Sequence, residues 1–230
     1  MNTYSFNYGG VKATGSTAVG GVTGTFIPTT PFQLGDTSAR YKINSELVNG
    51  VPCKTLVCST AGLVTLDLTA LTAGSGNLTG FGEWQFWIYK GGSSNAIDLT
   101  FIASLKGLST IASQQGYGLN INAAELLYFY RVNNTSFATV TLTSAAYIVD
   151  STWYRYRITR DVLGVFTTYI KGGAFTDETL VVSAGGGSNP SAADRNYFAA
   201  NFLNLDMDAG DKMILASADG TMGLSHKMIA

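Results

Sequence analysis

The sequence predicts an all-β protein that folds as an antiparallel β-sandwich. Three observations support this prediction: apolar residues recur at every second position in many short segments, turn residues separate these segments, and helical periodicity is nearly absent. Only residues 105–114 and 122–127 could form one or two helical turns. No repeat of about 20–50 residues is visible, which argues against propellers and solenoids.

The alternation is clearest in residues 82–90 and 153–171. In the first segment, one face receives Trp84, Phe86 and Ile88, and the other receives Glu83, Gln85, Trp87 and Tyr89. The second segment predicts a hairpin that turns at residues 160–164, with Tyr154, Tyr156 and Ile158 facing the core and Arg155, Arg157 and Thr159 facing outward. Weaker alternation predicts strands at residues 97–102, 117–122, 126–132, 137–142, 197–207 and 213–216.

Residues 1–35 predict an extended N-terminal arm ahead of one domain at residues 36–230. The segment is rich in Gly, Thr and Val, and Lys12 is its only ionised side chain. It is too polar to hold a core and too apolar for a solvated linker, so it is either a flexible leader or an arm that orders against a neighbouring subunit or a docking surface. In the second case its apolar side chains would anchor it: Phe26, Ile27, Phe32 and Leu34.

The composition limits the classes of function. Hydrophobic residues make up 46% of the chain and charged residues 13%, a balance that excludes a disordered protein. The net charge of −1 offers no basic surface, so we expect neither nucleic acid nor membrane as a partner. No apolar run approaches the roughly 20 residues that cross a bilayer. The first six residues lack the pattern of a secretory signal, so we expect synthesis in the cytoplasm.

Cys53 and Cys58 are the only cysteines. If the residues between them form a strand, steps of about 3.3 Å place the two α-carbons roughly 16 Å apart. A disulfide tolerates no more than about 7 Å. The sequence therefore predicts two free thiols.

The predicted strands, taken in order, resemble the concanavalin A-like, laminin-G-like jelly-roll family, in the form found on structural proteins of tailed bacteriophages. The resemblance lies in residues 54–62, 82–91, 116–119, 153–160, 164–173, 186–190 and 205–212. It implies a virion component (a capsid decoration, head fibre, tail fibre or spike) that forms a homo-oligomer and binds other virion proteins. The alternative that we keep open is a lectin-like carbohydrate-binding module that attaches to host glycans.

Laminin-G-like domains often hold calcium, and the densest acidic cluster here is Asp206, Asp208 and Asp211. Calcium takes about six to eight oxygen ligands, and the sequence does not offer a full set. The other interpretation is a turn between strands, in which Asp and Gly serve the turn geometry. We expect no cofactor, with calcium at these aspartates as the exception to test.

Four further residues are candidates for a binding surface: Trp87, Tyr89, Arg155 and Arg157. Neighbouring strands would place them on one outward face. Aromatic and guanidinium groups suit packing against another subunit or stacking on a sugar. A third interpretation is a buried second layer of the sandwich.

The sequence does not predict an enzyme. A glycosidase needs two carboxyl groups about 5–9.5 Å apart across a cleft. Glu83, Glu125 and Glu178 have no acidic partner at strand spacing. His226 is the only histidine, which excludes a site built from several histidines, and we expect it to be a solvated or interface residue.

Overall fold

A computed structural model confirms the all-β prediction and shows two antiparallel sheets. It describes residues 3–5, 23–25, 31–33, 40–68, 78–103, 115–133, 136–142, 147–181, 197 and 199–227. Every regular element within these residues is a strand. Accordingly, no helix that could span a membrane occurs in this part of the chain.

The larger sheet has nine strands. Seven follow in spatial order: β15 (Phe175–Leu180), β14 (Phe166–Gly172), β13 (Trp153–Arg160), β8 (Gly82–Tyr89), β18 (Lys212–Ser217), β5 (Val51–Cys58) and β4 (Tyr41–Val48). The last strand, β19 (Ser225–Lys227), pairs with the first half of β8, whereas β18 pairs with its second half. The first strand, β1 (Thr3–Ser5), pairs with β19.

The smaller sheet has six strands. Their order is β12 (Ser136–Leu142), β11 (Leu127–Asn133), β10 (Gln115–Ile121), β9 (Ile97–Ala103), β17 (Phe202–Met207) and β6 (Gly62–Asp67). Two further pairs join β7 (Leu78–Thr79) to β16 (Ala199–Ala200) and β2 (Thr23–Thr25) to β3 (Pro31–Gln33). Consecutive strands such as β8 and β9, or β17 and β18, belong to different sheets, so the two sheets are built from interleaved parts of the chain.

The core lies between the two sheets and contains the side chains that alternation assigned to it. Trp84, Phe86 and Ile88 of β8 are buried, as predicted. The ring of Phe101 on β9 lies 5.7 Å from that of Trp84 and 5.3 Å from that of Phe86, measured between centroids. Burying a side chain of this size contributes about 1.5–3 kcal/mol. Rings from both sheets therefore hold the sandwich together.

A buried lysine connects three loops at one end of the sandwich. The ammonium group of Lys90 donates to Glu125 Oε1 at 2.9 Å, to Asp150 Oδ1 at 2.7 Å and to the carbonyl oxygen of Gly92 at 2.8 Å. Because the side chain of Lys90 is fully buried, all three acceptors are needed to compensate for the lost hydration of its charge.

The thiol prediction is confirmed and the histidine prediction is wrong. Cys53 and Cys58 lie on β5, are buried and are free. His226 is 1% exposed rather than solvated, because β19 inserts beside β8 and carries the imidazole into the core.

The predicted arm falls largely outside the described residues. Phe26, Ile27 and Leu34 lie outside them, and Phe32 lies on β3, which pairs with β2. One part of residues 1–35 belongs to the nine-stranded sheet, since β1 pairs with β19. The docking role of the arm and the boundary at residue 36 stay predictions.

Candidate functional site

The four residues predicted to form a binding surface do share one face. Trp87 and Tyr89 on β8, and Arg155 and Arg157 on β13, are half-buried on the outer side of the nine-stranded sheet. Arg155 lies directly opposite Trp87 in the strand register. Local alternation therefore predicted the placement of these side chains.

The charges on this outer face are paired within the protein. Glu178 on β15 binds Arg155 and Arg157, and Nε of Arg157 donates to Glu178 Oε1 at 2.9 Å. The same guanidinium reaches Glu83 at 3.1 Å and lies 4.0 Å from the centroid of the Tyr169 ring. The hydrogen bonds between Arg157 and Glu178 lower the pKa of Glu178 and raise the pKa of Arg157. Both arginines thus already donate hydrogen bonds to neighbouring glutamates.

The aromatic rings on the same face join a second, smaller apolar cluster. Trp87 and Trp153 pack against buried side chains on that side of the sheet: Val48, Cys53, Ile214 and Met222. The rings of Tyr89 and Trp153 lie 5.3 Å apart at an interplanar angle of 49°, so they do not form a flat platform. Trp87 therefore fits the interpretation as a buried second layer of the sandwich better than Arg155 and Arg157 do.

The three aspartates considered for calcium do not converge. Asp211 Oδ1 accepts hydrogen bonds from the backbone N–H of Gly91 at 2.7 Å and from Nδ2 of Asn95 at 2.8 Å. Asp211 Oδ2 accepts from the backbone N–H of Asp208 at 2.9 Å. Asp208 Oδ2 accepts a hydrogen bond from the backbone N–H of Ala96 at 2.8 Å. These bonds join two turns, as the turn interpretation expects.

Asp206 belongs to a different surface, on β17 opposite Asp98 of β9. Within the described ranges, no group of three or more His, Cys, Asp or Glu side chains is placed to hold a metal ion. The expectation of no cofactor, with calcium at these aspartates as the exception to test, stays a prediction.

The outer side of the six-stranded sheet carries two adjacent rows of polar side chains that the sequence analysis missed. In one row the strand register places Asp206, Asp98, Asn120 and Tyr128 side by side. In the next row it places Thr65, Asn204, Thr100, Gly118 and Tyr130 side by side. We call these nine residues the polar face. Their neighbours along each strand, such as Leu99, Leu119 and Phe129, belong to the core.

The second row forms a buried, hydrogen-bonded base. Thr65 Oγ1 donates to Asn204 Oδ1 at 2.8 Å, and the hydroxyl groups of Thr100 and Tyr130 lie 2.9 Å apart. The Tyr130 ring rests on Gly118, where a Cβ atom would stand 2.3 Å from the ring. This close approach requires glycine, so the base of the polar face has little freedom to move.

The side chains of the first row are half-buried. Nδ2 of Asn120 donates to Asp98 Oδ1 at 2.7 Å, and Nδ2 of Asn122 donates to the hydroxyl of Tyr128 at 3.2 Å. The row therefore presents two carboxylates, an amide and a phenol ring along one line across four strands.

The two carboxylates of the polar face have raised pKa values. Burial raises the pKa of Asp98 to about 6, the hydrogen bond from Asn120 opposes this rise, and the charge of Asp206 adds to it. Burial also raises the pKa of Asp206, Asp208 adds to the rise, and the charge of Arg40 opposes it. Like charges on opposed residues are unfavourable in a sheet, so this pair does not stabilise the fold when both carboxyl groups are ionised.

Comparison with known proteins gives likenesses of fold. No family model and no curated protein matches the chain. A carbohydrate-binding module from Bacillus subtilis is 14% identical with a TM-score of 0.48, and the match covers 82% of this chain and 96% of that one. A Bacillus subtilis protein of unknown function with a galectin-like fold is 11% identical with a TM-score of 0.44, covering 83% and 91%.

The binding domain of botulinum neurotoxin serotype D is 10% identical with a TM-score of 0.45. That match covers 86% of this chain and 45% of the neurotoxin domain, so the chain spans about half of that domain's length. At these identities the likeness concerns the fold alone.

Proposed function

We propose that this protein is a non-enzymatic carbohydrate-binding module and that its polar face contacts sugar hydroxyl groups. One observation carries the proposal: Asp98, Asn120 and Asp206 stand in one cross-strand row that ends at Tyr128. A sugar hydroxyl both donates and accepts hydrogen bonds, which carboxylate and amide groups complement. A phenol ring offers an apolar surface for the C–H groups of the sugar ring.

The buried second row supports binding by holding the first row in place. Thr65, Thr100, Tyr130 and Asn204 are each at most 5% exposed and hydrogen-bonded in pairs. A site whose side chains are already fixed loses less conformational entropy when a ligand binds. The residues that touch the sugar are thus supported by residues that do not.

The outer side of the nine-stranded sheet suits a different role. Its arginines are paired with Glu178 and its tryptophans pack into an apolar cluster. If the protein is a virion component, as the sequence resemblance implies, a displayed module must attach to the particle through a surface other than its ligand site. We propose the face around Trp87 and Trp153 for that contact, whether with a second copy or with another virion protein.

The carbohydrate proposal is tested on a glycan array with the wild-type protein and three variants. Asn120→Ala and Tyr128→Ala remove an amide and a ring from the polar face, and Tyr89→Ala removes a comparable ring from the nine-stranded sheet. We expect the first two variants to lose about tenfold or more in affinity, and Tyr89→Ala to bind like the wild type.

Three outcomes contradict the proposal. Absence of wild-type binding to every glycan rejects it outright. Loss of binding in Tyr89→Ala with retention in Tyr128→Ala moves the site to the other sheet. Release of shorter sugars, detected by chromatography after incubation, contradicts the non-enzymatic part.

A further inference from the structure

We infer that the polar face selects neutral, hydroxyl-rich glycans and rejects glycans that carry carboxylate or sulfate groups, an inference that rests on the proposed function. The observation behind it is the direct opposition of Asp98 and Asp206 on neighbouring antiparallel strands. Residues paired in this way have Cβ atoms about 4.5–5.5 Å apart. Any ligand that lies along the first row meets both carboxyl groups.

The charge of this pair is poorly compensated. Among the described residues the side-chain hydrogen-bond partner of Asp98 is the amide of Asn120, which has no positive charge to offer. Arg40 is the cation whose charge acts on Asp206, and its guanidinium lies over Gly62 at the edge strand β6. Asp208, two residues further along the chain, adds a negative charge that acts on Asp206. The centre of the row is therefore acidic.

The same carboxylates favour one ligand class and disfavour another. A hydroxyl group that donates to a carboxylate forms a charge-assisted hydrogen bond, which is stronger than a neutral one. A uronate or sulfate placed in the same position meets like charge at short range in a partly desolvated site. Specificity arises here from repulsion of the wrong ligand as much as from attraction of the right one.

The inference is tested with matched pairs of immobilised polymers: dextran and dextran sulfate, galactan and polygalacturonate, mannan and sulfated mannan. Affinities are measured near neutral pH in EDTA, so that no divalent cation can bridge an anionic sugar to the carboxylates. We expect the wild type to prefer the neutral member of any pair that it binds by about tenfold or more. The double variant Asp98→Asn/Asp206→Asn keeps the side-chain shapes and should lose most of that preference.

A second double variant, Glu83→Gln/Asp177→Asn, removes two negative charges from the nine-stranded sheet and should behave like the wild type. Equal wild-type binding to both members of a pair overturns the specificity inference and leaves the proposed function standing. An unchanged preference in Asp98→Asn/Asp206→Asn overturns the assignment to this pair. Failure of the wild type to bind any polymer here and any glycan on the array overturns the proposed function and the inference together.

Discussion

The imidazole of His226 packs against the indole of Trp84, with ring centroids 4.2 Å apart and an interplanar angle of 37°. Its Nε2 lies 3.1 Å from the carbonyl oxygen of Phe81, which makes that nitrogen the donor of a hydrogen bond. Burial lowers the pKa of His226 from 6.5 to about 4, and the bond to Phe81 opposes this only in part. The folded protein therefore holds this histidine neutral.

His226 should make the protein less stable in acid. Its pKa is lower in the folded than in the unfolded chain, so its contribution is present above pH 6.5 and is lost as the pH falls toward 4. A shift of this size corresponds to about 3 kcal/mol of unfolding free energy. Urea denaturation across this pH range measures it. His226→Phe should lose less stability than the wild type on acidification; equal losses would show that another group is responsible.

Asp98 should make the protein less stable as the pH rises, which is opposite to the effect of His226, and the two pH ranges overlap. Its pKa rises from 3.8 to about 6 on folding, so its stabilising contribution is present below pH 3.8 and is lost as the pH rises through 6. Asp98→Asn should therefore be more stable than the wild type near neutral pH, by about 1–3 kcal/mol. The same urea titrations check this, with the exposed Asp177→Asn as the control. A less stable Asp98→Asn protein would contradict the prediction.

Lys90 should contribute more to stability than Lys212. Lys90→Met leaves Glu125 and Asp150 without their cation, and these carboxylates are only 20% and 24% exposed. Allowing for that exposure, we expect a loss of about 2–3 kcal/mol. Lys212→Met breaks a pair with Glu46 in which both side chains are about a quarter exposed, and it should cost less than about 1 kcal/mol. Thermal unfolding of the two variants in parallel decides whether the ranking holds.

Gly118→Ala should disturb the base of the polar face. The added methyl group would stand 2.3 Å from the Tyr130 ring, which must move and weaken its bond to Thr100. Overpacking of this kind costs about 1–3 kcal/mol. Gly92→Ala is the control, because the nearest contact of its Cβ atom lies at 3.7 Å. Chemical denaturation of both variants gives the comparison, and an undisturbed Gly118→Ala protein would show that Tyr130 is not tightly held.

Asp211 should matter through hydrogen bonds rather than through calcium. Asp211→Ala removes the acceptor of the backbone N–H groups of Gly91 and Asp208 and of the Asn95 amide. Leaving such donors unsatisfied costs about 1–3 kcal/mol each when they are buried. We expect a clear fall in melting temperature for this variant. The melting temperature of the wild type should not respond to calcium or EDTA; a rise with calcium would restore the metal interpretation.

Local patterns predicted the parts of the fold that depend on neighbouring residues. Alternation along β8 and β13 assigned Trp84 to the core and Arg155 to the surface, because side-chain direction in a strand depends only on position. The free thiols of Cys53 and Cys58 followed from the length of one strand.

The polar face and the burial of His226 depend on pairings between distant segments. Asp98 and Asp206 are more than a hundred positions apart in the sequence, and only the strand register makes them neighbours. The sequence analysis predicted a solvated or interface position for His226, because the residues next to it in the sequence do not indicate that β19 pairs with β8. The sequence did contain a signal for the polar face, because polar residues occupy alternate positions in three predicted strands. Without the strand register, these positions could not be recognised as neighbours.

The placement of β18 and β19 has a consequence for biogenesis. The centre of the larger sheet combines β5 and β8 with strands from the last part of the chain, and among the residues that the structure describes β1 pairs with β19 alone. As a ribosome releases the polypeptide, β5 can pair with β4 and β8 with β13. The other edges of β5 and β8 stay open until residues 212–227 have been synthesised. Because non-local pairing slows folding, we expect completion of the larger sheet to be a late step in folding.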